Sequence, residues 1–332
     1  MIASETLAAW LFDPARQLAT GKSVIAFARK WQDHPLVRSL KQEIDALPVK
    51  TAAALVAAAG RFMGEEAEFE SLLRDIIANS KADPFFRAPF RLVSNDIHSG
   101  LLLFDDPALS ISLGVIGLDA LAHKKLSEDG GSAISFTGQW TVIKFLKAGG
   151  ATLSFWEAPA IDGDFVAEKG GSCRFVERRT IEDGEILVTD GRSQSYVIEH
   201  ATSDIICAQA LIGAESAPLA LSYDWKSLEF AGASSTDEQA CRSHMMVTLL
   251  RMMDRKDAVP VVRDALKDQH FYTRWQIMRE FLALDAEAAL PVLRDMARED
   301  PHPEIRQAAQ QTLARFFPDD VDEDQEIVAC PA

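Results

Sequence analysis

Cysteine is scarce in this 332-residue chain: Cys173, Cys207, Cys241 and Cys330 stand 34, 34 and 89 positions apart. No C-x-x-C pair occurs. That spacing excludes a disulfide framework and a zinc knuckle, and free thiols in a reducing compartment are expected. Apolar runs are short; none approaches the roughly 18 consecutive residues that a spanning helix needs. Residues 1–10 hold Glu5 and no basic cluster, so no signal-peptide pattern is read and a cytoplasmic location is expected. Positive charge is also in short supply, with 34 Lys and Arg against 50 Asp and Glu for a net charge of -16. Nucleic-acid binding needs clustered cations to neutralise phosphates, so it is excluded as a general role, as is docking on anionic lipid. Histidines are few and scattered: there are seven, and no two lie closer than 25 positions. P-loop, G-x-G-x-x-G and G-x-S-x-G motifs are all missing. No cofactor is expected.

What is present is an ordinary globular composition, 48% apolar and 25% charged, in a chain long enough for about two domains. Residues 1–80 read as helices. Ser4 caps the first, Asp13-Pro14 restarts the pattern, and Ser23 begins a run with Val24, Phe27 and Trp31 on one face. Leu36 to Leu47 form a third, ended by Pro48, and an alanine-rich fourth, Thr51 to Phe62, has Gly60 and Gly64 as breakers. Glu65 to Ile77 form a fifth. Lys81 to Phe90 (KADPFFRAPF) reads as an ordered crossing that lays aromatics on the next domain.

From about Arg91 to Phe230 the period becomes two. Strands are expected at Leu101–Phe104, Leu109–Val115, Ala133–Phe136, Thr141–Leu146, Ala151–Trp156, Arg174–Arg179, Ile186–Thr189, Ser195–Glu199 and Ile205–Ile212. Between them stand Asp129-Gly130-Gly131, Gly149-Gly150, Asp162-Gly163, Asp183-Gly184 and Asp190-Gly191, the chemistry of tight hairpins. Such strands imply an antiparallel sandwich or jelly roll. From Ser234 the pattern is helical and repeats: Ala258-Val-Pro-Val-Val-Arg-Asp-Ala-Leu266 matches Ala289-Leu-Pro-Val-Leu-Arg-Asp-Met-Ala297. Arginine recurs every 32 residues, at Arg242, Arg274 and Arg306. After Pro318 comes a tail with six acids and no Lys or Arg, expected to be solvated.

The repeated PVVRDAL and PVLRDMA segments, with Arg274 and Arg306, resemble the HEAT-repeat family. That resemblance implies stacked helical hairpins whose arginines bond carbonyls or acids between successive units. The small hairpins of Thr180 to Ile212 resemble a cupin-like jelly roll. Metal-dependent cupins carry His-x-His with a following Glu; no His-x-His occurs here, and only His98, His123 and His200 fall within the β segment. The expected architecture is α+β multidomain: helices at 1–80, a cupin-like β domain at 81–232, HEAT-like repeats at 233–317 and an acidic tail at 318–332.

Candidate binding residues follow from side-chain chemistry. Arg178, Arg179 and Arg192 are arginines that hold a carboxylate or phosphate ligand unless Glu177, Glu182, Asp183 or Glu185 pairs with them. Trp156, with Glu157, Trp140 and Tyr196, is placed to line a small-molecule mouth or to pack as core. Tyr272, Arg274 and Trp275 gather residue types enriched at binding hot spots. Met245, Met246, Met252 and Met253 share one helix and suit an adaptable surface. The sequence favours a non-enzymatic binding protein with a protein partner or small-molecule ligand over a cupin-type oxygenase or isomerase. It leaves oligomeric state open.

Overall fold

A computed structural model describes residues 4–127, 133–160, 165–166, 169–267 and 269–318. The acidic tail beyond Pro318, with Cys330, lies outside the described residues, as do the turns at Asp129-Gly130-Gly131 and Asp162-Gly163. No described helix is long and apolar enough to cross a membrane. The chain forms two compact units: Met1–Ala160 with Gly171–Ser216 and Ser222–Ala231, and Ile161–Gly170 with Ala217–Leu221 and Gly232–Ala332.

The first unit opens with α1 (Ser4–Leu11), α2 (Pro14–Gln32), α3 (Pro35–Asp45), α4 (Ala52–Gly64) and α5 (Glu66–Ala82). Helix starts follow capping chemistry. Asp13 Oδ1 accepts the Ala15 and Arg16 amides at 3.0 and 3.1 Å, Thr51 Oγ1 accepts that of Ala54, and prolines open α2 and α3. Gly60 does not break α4; the helix runs through it.

The strands are β1 (Arg91–Ser94), β2 (His98–Asp106), β3 (Leu109–Ile116), β4 (Ala133–Phe136), β5 (Trp140–Lys147), β6 (Thr152–Glu157), β7 (Arg174–Thr180), β8 (Ile186–Asp190), β9 (Gln194–His200), β10 (Ile205–Ile212), β11 (Leu219–Asp224) and β12 (Phe230–Ser235). A short helix, α6 (Leu118–Ser127), follows β3. One sheet has the order β1-β2-β3-β10-β5-β8, a second β7-β6-β9 with β4 beside β9, and a third β12-β11-β4. From β3 to β10 the chain passes back and forth between the first two sheets, and only β6 and β7 are consecutive strands within one sheet. This is a double-sheet jelly roll. The turns expected to be hairpins are therefore crossings. Gly149-Gly150 joins β5 to β6, Asp183-Gly184 joins β7 to β8, and Asp190-Gly191 joins β8 to β9, each pair lying in different sheets. Gly149 and Gly150 have φ of +61° and +66°, so the reversal itself is as tight as Asp-Gly chemistry implies.

The central strands β3, β10 and β5 of the large sheet are buried on both faces. Leu109, Ile111, Leu113, Val142, Ala208, Ala210 and Ile212 pack against Leu55, Phe62, Met63 and Phe69 of the helices. Trp31 Nε1 donates to the Leu103 carbonyl at 2.9 Å. Lys144, buried on the helix-facing side, is matched by Glu66 Oε1 at 2.6 Å. The opposite face contributes Ile116, Ile143, Phe145, Ile205 and Cys207 to the jelly-roll interior, against Leu153, Ile181 and Ile198.

The second unit holds α7 (Glu238–Met252), a 3₁₀ turn at Lys256–Ala258, α8 (Val259–Ala265), α9 (Phe271–Leu284), α10 (Ala286–Glu299) and α11 (Pro303–Phe316). Asp237 and Asp285 cap α7 and α10. α7 packs on α9, α9 on α10 and α10 on α11. Arg274 and Arg306 are each the fourth residue of their helix, whereas Arg242 is the fifth of α7. Pro260 sits in the first turn of α8, but Pro291 lies inside α10. The 3₁₀ turn before α8 occupies the place of the first turn of α10.

Candidate functional site

One concavity of the jelly roll is a cleft of about 210 Å³ formed by β6, β7, β8 and β9. Trp156 forms its aromatic wall. The indole is held from three sides: its Nε1 donates to Ser154 Oγ at 3.1 Å, and its ring meets Phe175 and Trp225 edge-on at 5.5 and 5.3 Å. Residues two apart on a strand share a face, which is how buried Ser154 reaches it. Ser195, also in the wall, donates to the Ser135 carbonyl at 2.6 Å. Arg179 lies 5.0 Å over the Phe155 ring and reaches Glu185 at 2.6 Å and Glu177 at 3.6 Å. Glu157 pairs with Arg174. With Glu157, Glu177 and Arg179 in its lining, the cleft is not an anion site. Beside these paired charges the largely buried Trp156 indole gives the cleft an aromatic edge.

The three sequence-nominated arginines do not converge. Arg178 and Arg179, adjacent on β7, point to opposite faces. Arg178 donates to Glu199 through Nε at 2.7 Å and Nη2 at 2.8 Å. Arg192 clasps Asp190 with Nε at 2.9 Å and Nη2 at 2.8 Å, beside the Trp140 ring. Burial pushes the Asp190 carboxyl up, but the hydrogen bonds from Arg192 outweigh it and hold it below the ordinary value. Each arginine thus has its own carboxylate. Trp140 and Tyr196 do not line the Trp156 cleft; Tyr196 instead packs against the interior core.

That interior is mostly apolar, with Thr141 and Thr189 buried at one end. Phe145, Leu153, Ile205 and Cys207 are within 1% of full burial, and burial pushes the Cys207 thiol up to about 12. Among its polar groups His98 stands out, buried with Nε2 unpartnered among the described residues. The ring lies over two glycines: a Cβ at Gly114 would stand 2.5 Å from Nε2, and one at Gly100 2.9 Å from Cε1. Burial lowers the His98 pKa. His123 and His200 are exposed. Among the described residues no three His, Cys, Asp or Glu side chains are grouped to hold a metal ion.

In the helical array, Arg274 is turned inward. It donates to both oxygens of Asp300, Nε at 3.0 Å and Nη2 at 2.7 Å, and to the Gln269 carbonyl at 2.6 Å. Asp300 is buried and also accepts the His302 amide at 2.9 Å. His302 stacks on Phe271 at 3.7 Å and 4°, and its Nε2 lies 3.2 Å from the Phe165 carbonyl, which accepts. Arg306 donates to the Asp300 and Pro301 carbonyls at 2.6 and 3.1 Å. The Asp300-Pro-His-Pro303 turn is therefore tied to α9 and α11 together. Arg242 instead pairs with Glu238 on the exposed side of α7. Tyr272 and Trp275 remain half-buried at the start of α9. Sequence reasoning missed Ser154, Phe175 and Trp225 around Trp156. Alternation flags Ser154, two positions from the indole, but the other two come from distant parts of the chain.

Residues 231–314 match the family model for HEAT repeats. No curated protein matches the sequence. Similar solved structures include an ectoine synthase from P. lautus, 12% identical over 37% of this chain and 69% of that one, at a TM-score of 0.23. A cupin domain from Bordetella pertussis Tohama I is 11% identical over 37% and 99%, at 0.22. A sugar phosphate isomerase of the cupin superfamily from Silicibacter pomeroyi is 9% identical over 43% and 79%, at 0.22. The fold assignment rests on the strand order. The C-terminal helices are HEAT-like repeats and the centre is a double-sheet jelly roll.

Proposed function

We propose that this chain is a non-enzymatic binding protein. The observation that carries the reading is the jelly-roll interior: Phe145, Leu153, Ile198, Ile205 and Cys207 pack where a cupin-type oxygenase or isomerase needs a polar, ligand-filled cup. The jelly roll then serves as a rigid body, and recognition falls to surfaces, the HEAT-like helices foremost. Metal analysis of the purified full-length protein tests this. Well below one equivalent of Fe, Mn, Ni or Zn per chain is expected. A stoichiometric transition metal that survives dialysis and is lost in His98→Ala would overturn the reading in favour of a cupin-type enzyme.

A second, compatible role attaches to the Trp156 cleft, whose volume of about 210 Å³ fits a small molecule or one side chain of a partner. Neutral or cationic aromatic compounds are expected to stabilise the protein in a thermal-shift screen, and Trp156→Leu to remove the shift. A screen in which only anions stabilise would refute this use of the cleft.

A further inference from the structure

Helix α7 is apolar on two sides. Ala240 and Val247 are buried, and on that side Arg251 pairs with Glu280 of α9. Away from it, Met245, Met246, Leu249, Met252 and Met253 expose 68, 60, 47, 72 and 56% of their surfaces. The first four, spaced i, i+1, i+4 and i+7, form one continuous stripe on the helix, and Met253 at its C-cap extends it. A helix face turned from its own core normally carries charge; here only Glu238 and Arg242, paired with each other, do so at its start.

The 32-residue repeat shows what kind of surface this is. It carries Met245, Met246, Leu249 and Met252 onto Ile277, Met278, Phe281 and Leu284 of α9, all four buried. The same phase of the repeat that forms core in α9 is open to solvent in α7. Methionine fits this setting because its unbranched side chain adapts to whatever packs on it.

We infer that the α7 stripe is a homodimer interface, packed against the same stripe of a second copy. Three features select that occupant. The stripe is uniformly apolar, so a two-fold axis places like on like, as an isologous contact requires. Five large side chains at these exposures amount to roughly 500 Å² of apolar surface, at the upper end for a monomer, and doubling it comes near the lower limit for a specific interface. Charge permits the approach as well. The chain carries -16, yet residues 238–267 hold six Lys or Arg and four Asp or Glu, so joining copies at α7 keeps acidic surface apart. The inference does not depend on the jelly-roll reading, since a catalytic jelly roll would leave it standing.

Sedimentation velocity of the full-length protein tests it, beside Met245→Lys/Met252→Lys and the milder Leu249→Gln. The wild type is expected to sediment at twice the chain mass of 36.5 kDa. Each variant should weaken the dimer by about tenfold or more while its melting curve stays cooperative. Leu249→Cys, near the proposed axis, should give an inter-chain disulfide under mild oxidation. A wild-type protein that stays monomeric as concentration rises would overturn the inference, as would a dimer that both stripe variants leave intact.

Discussion

Asp300 is a carboxylate buried in a turn, held there by a two-pronged bond from Arg274 and by the His302 amide. Removing one partner of a buried pair strands the other charge, which costs about 3–5 kcal/mol. Arg274→Ala is therefore expected to lower the urea midpoint strongly, and Arg274→Lys to lower it less, because an ammonium keeps the charge but not the fork. Equal losses in the two variants would show that the fork contributes nothing. The arginine's inward role was legible in the 32-residue recurrence and the HEAT resemblance. Its acceptor was not, because Asp300 lies 26 residues along the chain and only the folded turn brings it near. A second test concerns histidine. Burial lowers the His98 pKa from 6.5; His270 is lowered too, by burial first and then by Arg274 and His302. A depressed folded-state pKa means that the unfolded chain binds the proton first. Stability is thus complete above about 6.5 and declines as pH falls through that value toward the folded pKa. Melting temperatures at pH 7.5 and 5.5 should show that decline, and His98→Gln should flatten it. An unchanged slope in the variant would remove His98 from the account.

At the scale of elements, helices and strands were read well where a period of 3.6 or 2 ran for two turns or more. β11 alternates buried and half-buried residues along Leu219–Asp224 and was legible, though no strand was expected there. β12, FAGASS, has little strand propensity and forms through its neighbour, so local sequence reads past it. The Asp-Gly turns show the same limit differently. Turn chemistry specifies a reversal, but which strands bond depends on long-range pairing, and β10 sits between β3 and β5. Glycine substitutions separate local from tertiary demands. Gly60 lies in α4 with open space around its missing Cβ, so Gly60→Ala should stabilise by about 0.5–1 kcal/mol. Gly114→Ala would put a methyl 2.5 Å from His98 Nε2 and 2.7 Å from the Ser99 carbonyl, and should destabilise by about 1–3 kcal/mol. Chemical denaturation of both variants measures the contrast; like signs would contradict the packing described.

For the molecule as a whole, a net charge of -16 means self-repulsion in the folded state. Melting temperature should rise as salt is raised from about 10 to about 300 mM, where the screening length falls below the size of a side-chain cluster. A flat response would mean that paired carboxylates such as Asp190 and Asp300 already absorb the field. The order of helices, strands and helical repeats was legible from the sequence. The depth of the large sheet was not read: a period of two was expected throughout, whereas Thr141–Leu146 and Ile205–Ile212 are nearly unbroken apolar runs, the pattern of strands covered on both faces. Nor was the partner on its outer face, because periodicity marks a surface as buried without saying what buries it. The sheet's two apolar faces have a practical consequence for dissection. Trimming the chain to begin near Arg91 would leave Leu109, Ile111, Val142 and Ile212 bare. Such a fragment should collect in inclusion bodies, so the helices that open the chain act as the lid of the box and cannot be cut away as its wrapping.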